Sequence, residues 1–363
     1  MSGTTPRTGA DATTADVVCL GESMVTFLPS RPGRLADVPS FARGIGGAES
    51  NVACALAAAG HRAAWVSRVG ADGFGDHLVD AVAAYGVDTS AVRRDPHRPT
   101  GIYFRTATDR FTDLHEVAYY RAGSAASTMS PATVPYEGLP AGRVLHLSGI
   151  TAALSADCLA LLRDLTAPRP DRPLISFDVN HRPGLWRGSD ASPAVLLELA
   201  RRADLVFVGE DEAEEAWGVV GAEAIREALP EPGVVVVKRG ADGVTVFSRL
   251  RPGPRSSDAG GADHSADTVT HVPALSVDVV APVGAGDAFA AGFLSATLRG
   301  LPVRTRARHG HLMAAAVLTV PGDLTDPPAR DRADHLAALD DAAWGRLRLG
   351  PGWTGDDTEV RTT

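Results

Sequence analysis

The chain has 363 residues, 44% hydrophobic and 22% charged, the composition of an ordinary globular protein long enough to bury a substantial core. A formal net charge of −9 with no concentrated basic patch disfavours nucleic acid and anionic membrane as partners, and no apolar run approaches the roughly 20 residues that span a bilayer. The three cysteines, Cys19, Cys54 and Cys158, lie too far apart for a metal or redox motif, and the segment before Asp16 lacks the layout of a secretory signal; a cytoplasmic enzyme with reduced, buried thiols is the expectation.

Residues 1–15 read as a frayed tail. A single domain is expected over 16–350, in which short β-branched runs at 17–20, 64–68, 144–147, 174–178, 205–208, 234–238 and 244–247 alternate with Ala- and Leu-rich segments at 49–59, 75–85, 156–165, 194–202, 210–217, 287–299 and 304–320. That alternation predicts an α/β fold of buried parallel strands joined by helices. Two regions break it: 24–28 with 40–43, and 101–106 with 116–121, read as strands with no helix between them. They predict a small, mostly antiparallel sheet with its strands inside 22–45 and 99–122. Strand alternation puts Tyr103 and Arg105 on one face, and Val117, Tyr119 and Arg121 on one face. Such a sheet offers tyrosines and arginines to a polar anionic ligand, or alternatively to solvent. The Gly-, Ser- and Asp-rich stretch 252–267 reads as a mobile insert, and 351–363 as a second tail.

The segment APVGAGDAFAAGF at 281–293 carries the strongest chemical signal. Gly284 and Gly286 permit a tight turn whose successive amides, including that of Ala285, converge at the start of a helix, which is an anion site. Asp287 in the first turn is placed to take a proton from an attacking hydroxyl. The plainer reading of Asp287 is a helix cap.

GAGDAFAAGF closely resembles the C-terminal signature of the ribokinase-like (PfkB) carbohydrate kinases, and GIGGAESNVA at 44–53 with SRVGADGFG at 67–75 resembles its N-terminal partner. The resemblance runs from about Val17 to Asp323. It implies a ribokinase-like three-layer α/β/α domain with a central, mostly parallel sheet, and makes the small sheet a lid over the sugar. It implies ATP and Mg²⁺, with Asp287 as base beside an anion hole of Gly284, Ala285 and Gly286. Gly46 and Gly47 would let the sugar approach a helix start, and Asn51 would bond its hydroxyls. KRGADG at 238–243 resembles the nucleotide-side loop, bringing in Lys238, Gly240 and Gly243; His311 stands at an adenine-side position, and Glu212 would organise magnesium through water. Two departures stand out. Ala281 replaces the usual acid that helps hold a monovalent cation, which makes such a cation doubtful, and Gly209 replaces the Asn of an Asn-x-x-Glu motif.

Within that family, GIYFR at 101–105, YYRAGSA at 119–125 and DVNHRPGLW at 178–186 resemble the 2-keto-3-deoxygluconate kinases. The resemblance implies ATP-dependent phosphorylation of a sugar acid at its C6 hydroxyl, with Arg121 and Arg182 holding the carboxylate and Tyr103 and Tyr119 contributing from the lid; planar guanidinium forks suit a carboxylate. Arg105 is expected as an outer lid charge. A kinase of a neutral sugar such as fructose or ribose, and a non-catalytic sugar-acid or nucleotide sensor, are the alternatives. A dinucleotide enzyme is excluded because Glu49 stands where the third fingerprint glycine belongs. Exposed lid edges are the motive for expecting a homo-oligomer.

Overall fold

The computed structural model describes residues 14–31, 33–106, 116–187, 192–249, 267–355 and 361–362. The chain enters a large sheet as β1 (Ala15–Leu20), leaves it as the hairpin β2 (Met24–Pro29) and β3 (Phe41–Gly46), and returns through α1 (Ala48–Ala58) to β4 (Ala63–Val66). A side unit follows, of β5 (Arg68–Gly70), α2 (Gly73–Ala84) and β6 (Arg93–Asp95), then β7 (Ile102–Arg105) and β8 (Val117–Tyr120). The chain then alternates through β9 (Gly142–Ser148), α3 (Gly149–Ala152), α4 (Ala156–Leu165), β10 (Leu174–Asp178), α5 (Pro183–Trp186), α6 (Ala194–Arg201), β11 (Leu205–Gly209), α7 (Glu210–Trp217), α8 (Ala222–Ala228) and β12 (Val234–Lys238). An antiparallel edge, β13 (Val244–Ser248) and β14 (Thr268–Val272), precedes β15 (Ser276–Val277), α9 (Ala285–Leu298), α10 (Val303–Leu318), α11 (Arg330–Ala337), α12 (Asp341–Gly345), β16 (Leu347–Leu349) and β17 (Arg361–Thr362).

The large sheet runs β14-β13-β12-β11-β10-β9-β1-β4, and the separate lid sheet runs β3-β2-β7-β8. Pairing in the lid is antiparallel for β2 with β3 and β7 with β8, and parallel for β2 with β7. Both faces of the large sheet are covered, which is why its strands are continuous apolar runs. Phe207 and Val236 join a core with α1, α9 and α10 on one face, while Val206, Val235 and Val237 join one with α4 and α6 on the other. Small residues let α9 and α10 meet closely: a Cβ on Gly292 would lie 2.3 Å from the His309 carbonyl oxygen.

The structure corrects the expected chain ends. Ala15, placed in the tail, already pairs with Gly142 in the sheet. The segment after 350 is not a plain tail, since Trp353 is 2% exposed and Arg361–Thr362 pairs with Leu347–Arg348; burial of a large indole favours holding this segment against the fold. Residues 252–266 of the expected insert lie outside the described residues. At its border Asp267 is held by Arg226 (2.6 and 2.9 Å) and by Arg249 (3.3 Å). No helix among the described residues is long and apolar enough to cross a membrane.

Candidate active site

The parallel strands all end at one edge of the large sheet, and the order reverses between β1 and β9, where open α/β sheets leave a crevice for ligands. Here the lid, α1 and α9 enclose a cavity of about 610 Å³ whose wall includes Gly46, Gly47, Asn51, Tyr103, Tyr119, Arg121, Arg182, Gly284 and Asp287. Close approach explains the diglycine. A Cβ on Gly46 would sit 2.3 Å from the Tyr103 hydroxyl, and one on Gly47 would sit 2.5 Å from the Glu22 carbonyl oxygen.

Gly284 turns into α9 with φ +75°, a left-handed conformation, and its missing Cβ would lie 2.6 Å from the Asp323 carbonyl oxygen; any other residue there is both strained and blocked. The first helical bond of α9 runs from Ala288 N to Gly284 O (2.9 Å). The amides of Ala285, Gly286 and Asp287 therefore have no acceptor within the helix and form an electropositive N-terminus. Asp287 is half-buried, and its Oδ2 accepts from Asn51 Nδ2 at 2.8 Å. Burial, helped by the nearby Asp178 charge, pushes its carboxyl up to about 7 against the opposing influence of Asn51, Arg182 and Lys238. A carboxylate poised near neutrality is what a general base requires.

The inner lid face is anchored rather than free. Tyr103 donates to Asp323 Oδ2 (3.1 Å), and Arg105 Nη2 reaches Asp323 Oδ1 (2.8 Å) and the Pro321 carbonyl (3.2 Å). Arg105, expected as an outer lid charge, is thus buried, because strand alternation aims it inward beside Tyr103 and Asp323 supplies its countercharge. Tyr119 lies 5.4 Å from the Tyr103 ring, with Arg121 over its face at 5.8 Å. Arg121 is itself paired with the buried Glu22, whose other oxygen accepts from Ser124 Oγ at 2.5 Å. Arg182 is 52% exposed and only loosely paired, 3.6 Å from Glu212.

Seven of the predicted residues are not in the cavity wall, among them Ala285 and Gly286 in the first turn of α9. Glu212 accepts from Gly209 N (2.8 Å) at the start of α7. Lys238 spans to Asp178, 3.1 Å from each carboxylate oxygen. Gly240 and Gly243 have φ +53° and +96°, and a Cβ on Gly243 would lie 2.2 Å from the Val272 carbonyl oxygen. His311 is buried between Phe289 and Trp344, 3.3 Å from that same Val272 oxygen, and burial pulls it down to about 4, so it is neutral. Among the described residues no cluster of three or more His, Cys, Asp or Glu is arranged for a metal.

Sequence reasoning assigned no part to Glu22, Glu49, Asp178, Asn180 or Asp323. Asn180 lines the cavity with φ +43° and a buried Oδ1 that has no hydrogen-bond partner, an orphaned acceptor of the kind that marks functional sites. Its signal in the sequence is the Asn at the middle of DVNHR, 178–182.

Comparison with known proteins finds relatives along most of the chain. The chain is 34% identical over 333 residues to the 2-dehydro-3-deoxygluconokinase of Bacillus subtilis (strain 168), covering 89% of this chain and 96% of that one. It is 32% identical over 323 residues to the 2-dehydro-3-deoxygluconokinase of Thermoproteus tenax, covering 88% and 93%. The crystal structure of a PfkB protein from Polaromonas sp. JS666 superposes with a TM-score of 0.72 at 33% identity, over 90% of this chain and 100% of that one. The pfkB family carbohydrate kinase profile matches residues 14–330, and this chain belongs to the pfkB family of carbohydrate kinases.

Proposed function

We propose that this chain transfers the γ-phosphoryl group of ATP to the C6 hydroxyl of 2-keto-3-deoxygluconate, giving 2-keto-3-deoxy-6-phosphogluconate. The observation that carries the reaction is Asp287, a base poised near neutrality at the mouth of an anion hole. Asn51 occupies Oδ2, which leaves Oδ1 for the hydroxyl. As that proton passes to Asp287, the sugar oxygen forms a bond to phosphorus, the bond to the β-phosphate bridging oxygen breaks, and its electron pair leaves with ADP. The amides of Ala285, Gly286 and Asp287 take up charge on the transferring group.

The acid end of the substrate is assigned to Arg182 and the lid. Arg182 is exposed and loosely paired, so it has positive charge to offer. Arg121 is compensated by Glu22 and contributes directed N–H groups more than net charge. Tyr103, Tyr119, Asn180, Gly46, Gly47 and Asp323 would surround the hydroxyls. We place ATP along Lys238, Gly240 and Gly243. His311 supports that loop from beneath, since it holds the Val272 carbonyl against which Gly243 packs. A magnesium ion carried on nucleotide phosphates needs few protein carboxylates, and Glu212 at the start of α7, with Glu210 and Asp211 beside it, suits holding one through water. Bound there, magnesium would neutralise phosphate charge. Three free buried thiols suit a reducing cytoplasm, and the open edge strands β3 and β8 suit lid-to-lid assembly, for which light scattering is the test.

An ADP-coupled assay across 2-keto-3-deoxygluconate, its galacto epimer, fructose and ribose tests the assignment. Turnover is expected on the sugar acids, and Asp287→Asn should lower kcat by on the order of 10³-fold with little change in KM. Preference for fructose, or near-wild-type turnover by the variant, refutes it.

A further inference from the structure

Lys238 and Asp178 stand on strands that do not touch. Asp178 closes β10, Lys238 closes β12, and β11 runs between them. In register, Asp178 lies beside Phe207, and Phe207 beside Val236. Lys238 follows Val236 by two, so all four project from the face covered by α9. The residue between the two charges, paired in register with Lys238, is Gly209, whose missing Cβ would lie 2.5 Å from Asp211 Oδ1 and 3.1 Å from Glu212 Cγ at the start of α7. The lysine spans the intervening strand to reach Asp178 with equal 3.1 Å contacts to both oxygens.

The pair is placed at the chemistry. A Cβ on Gly286 would lie 3.7 Å from the Lys238 ammonium, so the charge sits against the first turn of α9. Asp178 is 4% exposed on its side chain and Lys238 20%. Burial works against the ammonium, yet Asp178 and Glu212 outweigh it and raise its pKa, so it stays charged at any working pH. Both Asp178 oxygens are engaged by Lys238, so a metal ion would have to displace an ammonium to use them.

We propose that Asp178 is a positioning residue that holds the Lys238 ammonium across Gly209 at the anion hole, where Lys238 acts as a catalytic cation on the transferring phosphoryl group. This rests on the kinase reading above and goes beyond it, since it makes Lys238 an element of phosphoryl transfer rather than of nucleotide docking, and gives Asp178 a part. The arrangement resolves an electrostatic difficulty. A buried aspartate beside an incoming polyanion would repel it, whereas an aspartate saturated by an ammonium presents the phosphoryl group with the cation's remaining N–H donor.

The test compares Asp178→Asn, Lys238→Met and the double variant with the wild type, by ADP release at saturating ATP and sugar acid and by the pH profile of kcat/KM from about pH 5.5 to 9. Each single variant should lose kcat by about 30- to 100-fold with sugar KM within about threefold, and the double should be no slower than Lys238→Met. The charged groups around Asp287 are Glu49 from α1, Asp178 from β10, Lys238 from β12, Arg182 from the loop after β10 and Asp323 across Gly284. Removing negative Asp178 should move the acid limb to lower pH, and removing positive Lys238 should move it to higher pH. Opposite displacements would show that both charges act on Asp287, and the kcat loss at nearly unchanged KM separates a catalytic cation from a neighbour that only tunes the base. The double variant leaves neither charge buried alone, so it reports even where a single variant folds poorly. Full kcat in Asp178→Asn, additive losses in the double, or limb shifts of the same sign overturn the proposal while wild-type turnover upholds the kinase reading. Absence of ADP release from the wild type on every sugar overturns both.

Discussion

Glu49→Gln should make this protein more stable at alkaline pH, by an amount the structure allows to be worked out. Glu49 lies in α1 with no solvent exposure. Its Oε1 accepts from Thr151 Oγ1 at 2.6 Å, while Oε2 is buried without a hydrogen-bond partner. It fits only because Gly21 has no side chain: a Cβ there would lie 2.0 Å from the Glu49 carboxyl carbon. Burial, with a smaller push from Asp287, raises its carboxyl from 4.5 to about 8. Between those values the folded protein holds a proton that the unfolded chain has released. Unfolding releases protons across this window, so stability is greatest below the unfolded value and falls as pH rises through the folded one. At about 1.36 kcal/mol per pH unit, the gap sets an upper limit of roughly 5 kcal/mol. Structural relaxation and water entry lower real penalties for buried charge, and we expect on the order of 2 kcal/mol. Glutamine matches the protonated acid in shape and has nothing to lose. Urea denaturation of both proteins near pH 5.5 and pH 8.5 reads the effect as a difference of differences, in which the titrating groups that do not feel Glu49 cancel. Parallel stability profiles for the two proteins would show that Glu49 is ionised in the fold and that the reasoning is wrong.

Gly284→Ala should remove nearly all turnover and lower Tm, because a methyl at φ +75° meets the Asp323 carbonyl at 2.6 Å; retention of more than about a tenth of wild-type kcat counts against a glycine-dependent anion hole. Asp323→Asn leaves Arg105 buried without its countercharge and should cost about 3 kcal/mol in thermal or urea unfolding, whereas the paired Arg105→Met, Asp323→Asn variant should recover part of that loss. Arg182→Ala should raise KM for sugar acids by about 10- to 100-fold while leaving the constants for any neutral sugar nearly unchanged. Equal effects on both classes would remove Arg182 from carboxylate recognition.

The main-sheet strands were legible because burial on both faces leaves a plain signature; 174–178 and 234–238 match β10 and β12 residue for residue. The lid strands were legible from the missing helix between them. β14 was not, since Thr268–Val272 is largely exposed at the sheet edge and shows neither a buried run nor clean alternation. At the site, residues inside glycine-rich signatures could be read, but pairs that form only in three dimensions could not. Asp323 sits in an ordinary turn sequence, and nothing local announces that it receives Tyr103 and Arg105 from 220 and 218 residues away. Glu49 stands in the first turn of α1, where an acid is ordinarily favourable, yet packing makes it a buried one. Lys238 was visible as part of a loop motif, while its partner Asp178 required the strand order.

The Asp267 clamp has a practical side. Because β13 runs antiparallel to β12, the link from β13 to β14 leaves at Ser248 and returns at Thr268 beside Val234, the edge opposite Lys238. Arg226, itself fixed to the carbonyls of Leu229 and Pro232, and Arg249 grip Asp267 at that doorway. The two ends of the link are therefore stapled together on the far side of the sheet from the catalytic edge. A change in the length of that link would therefore load this clamp, at the strand ends opposite Lys238, before it reached the Lys238 end of the sheet.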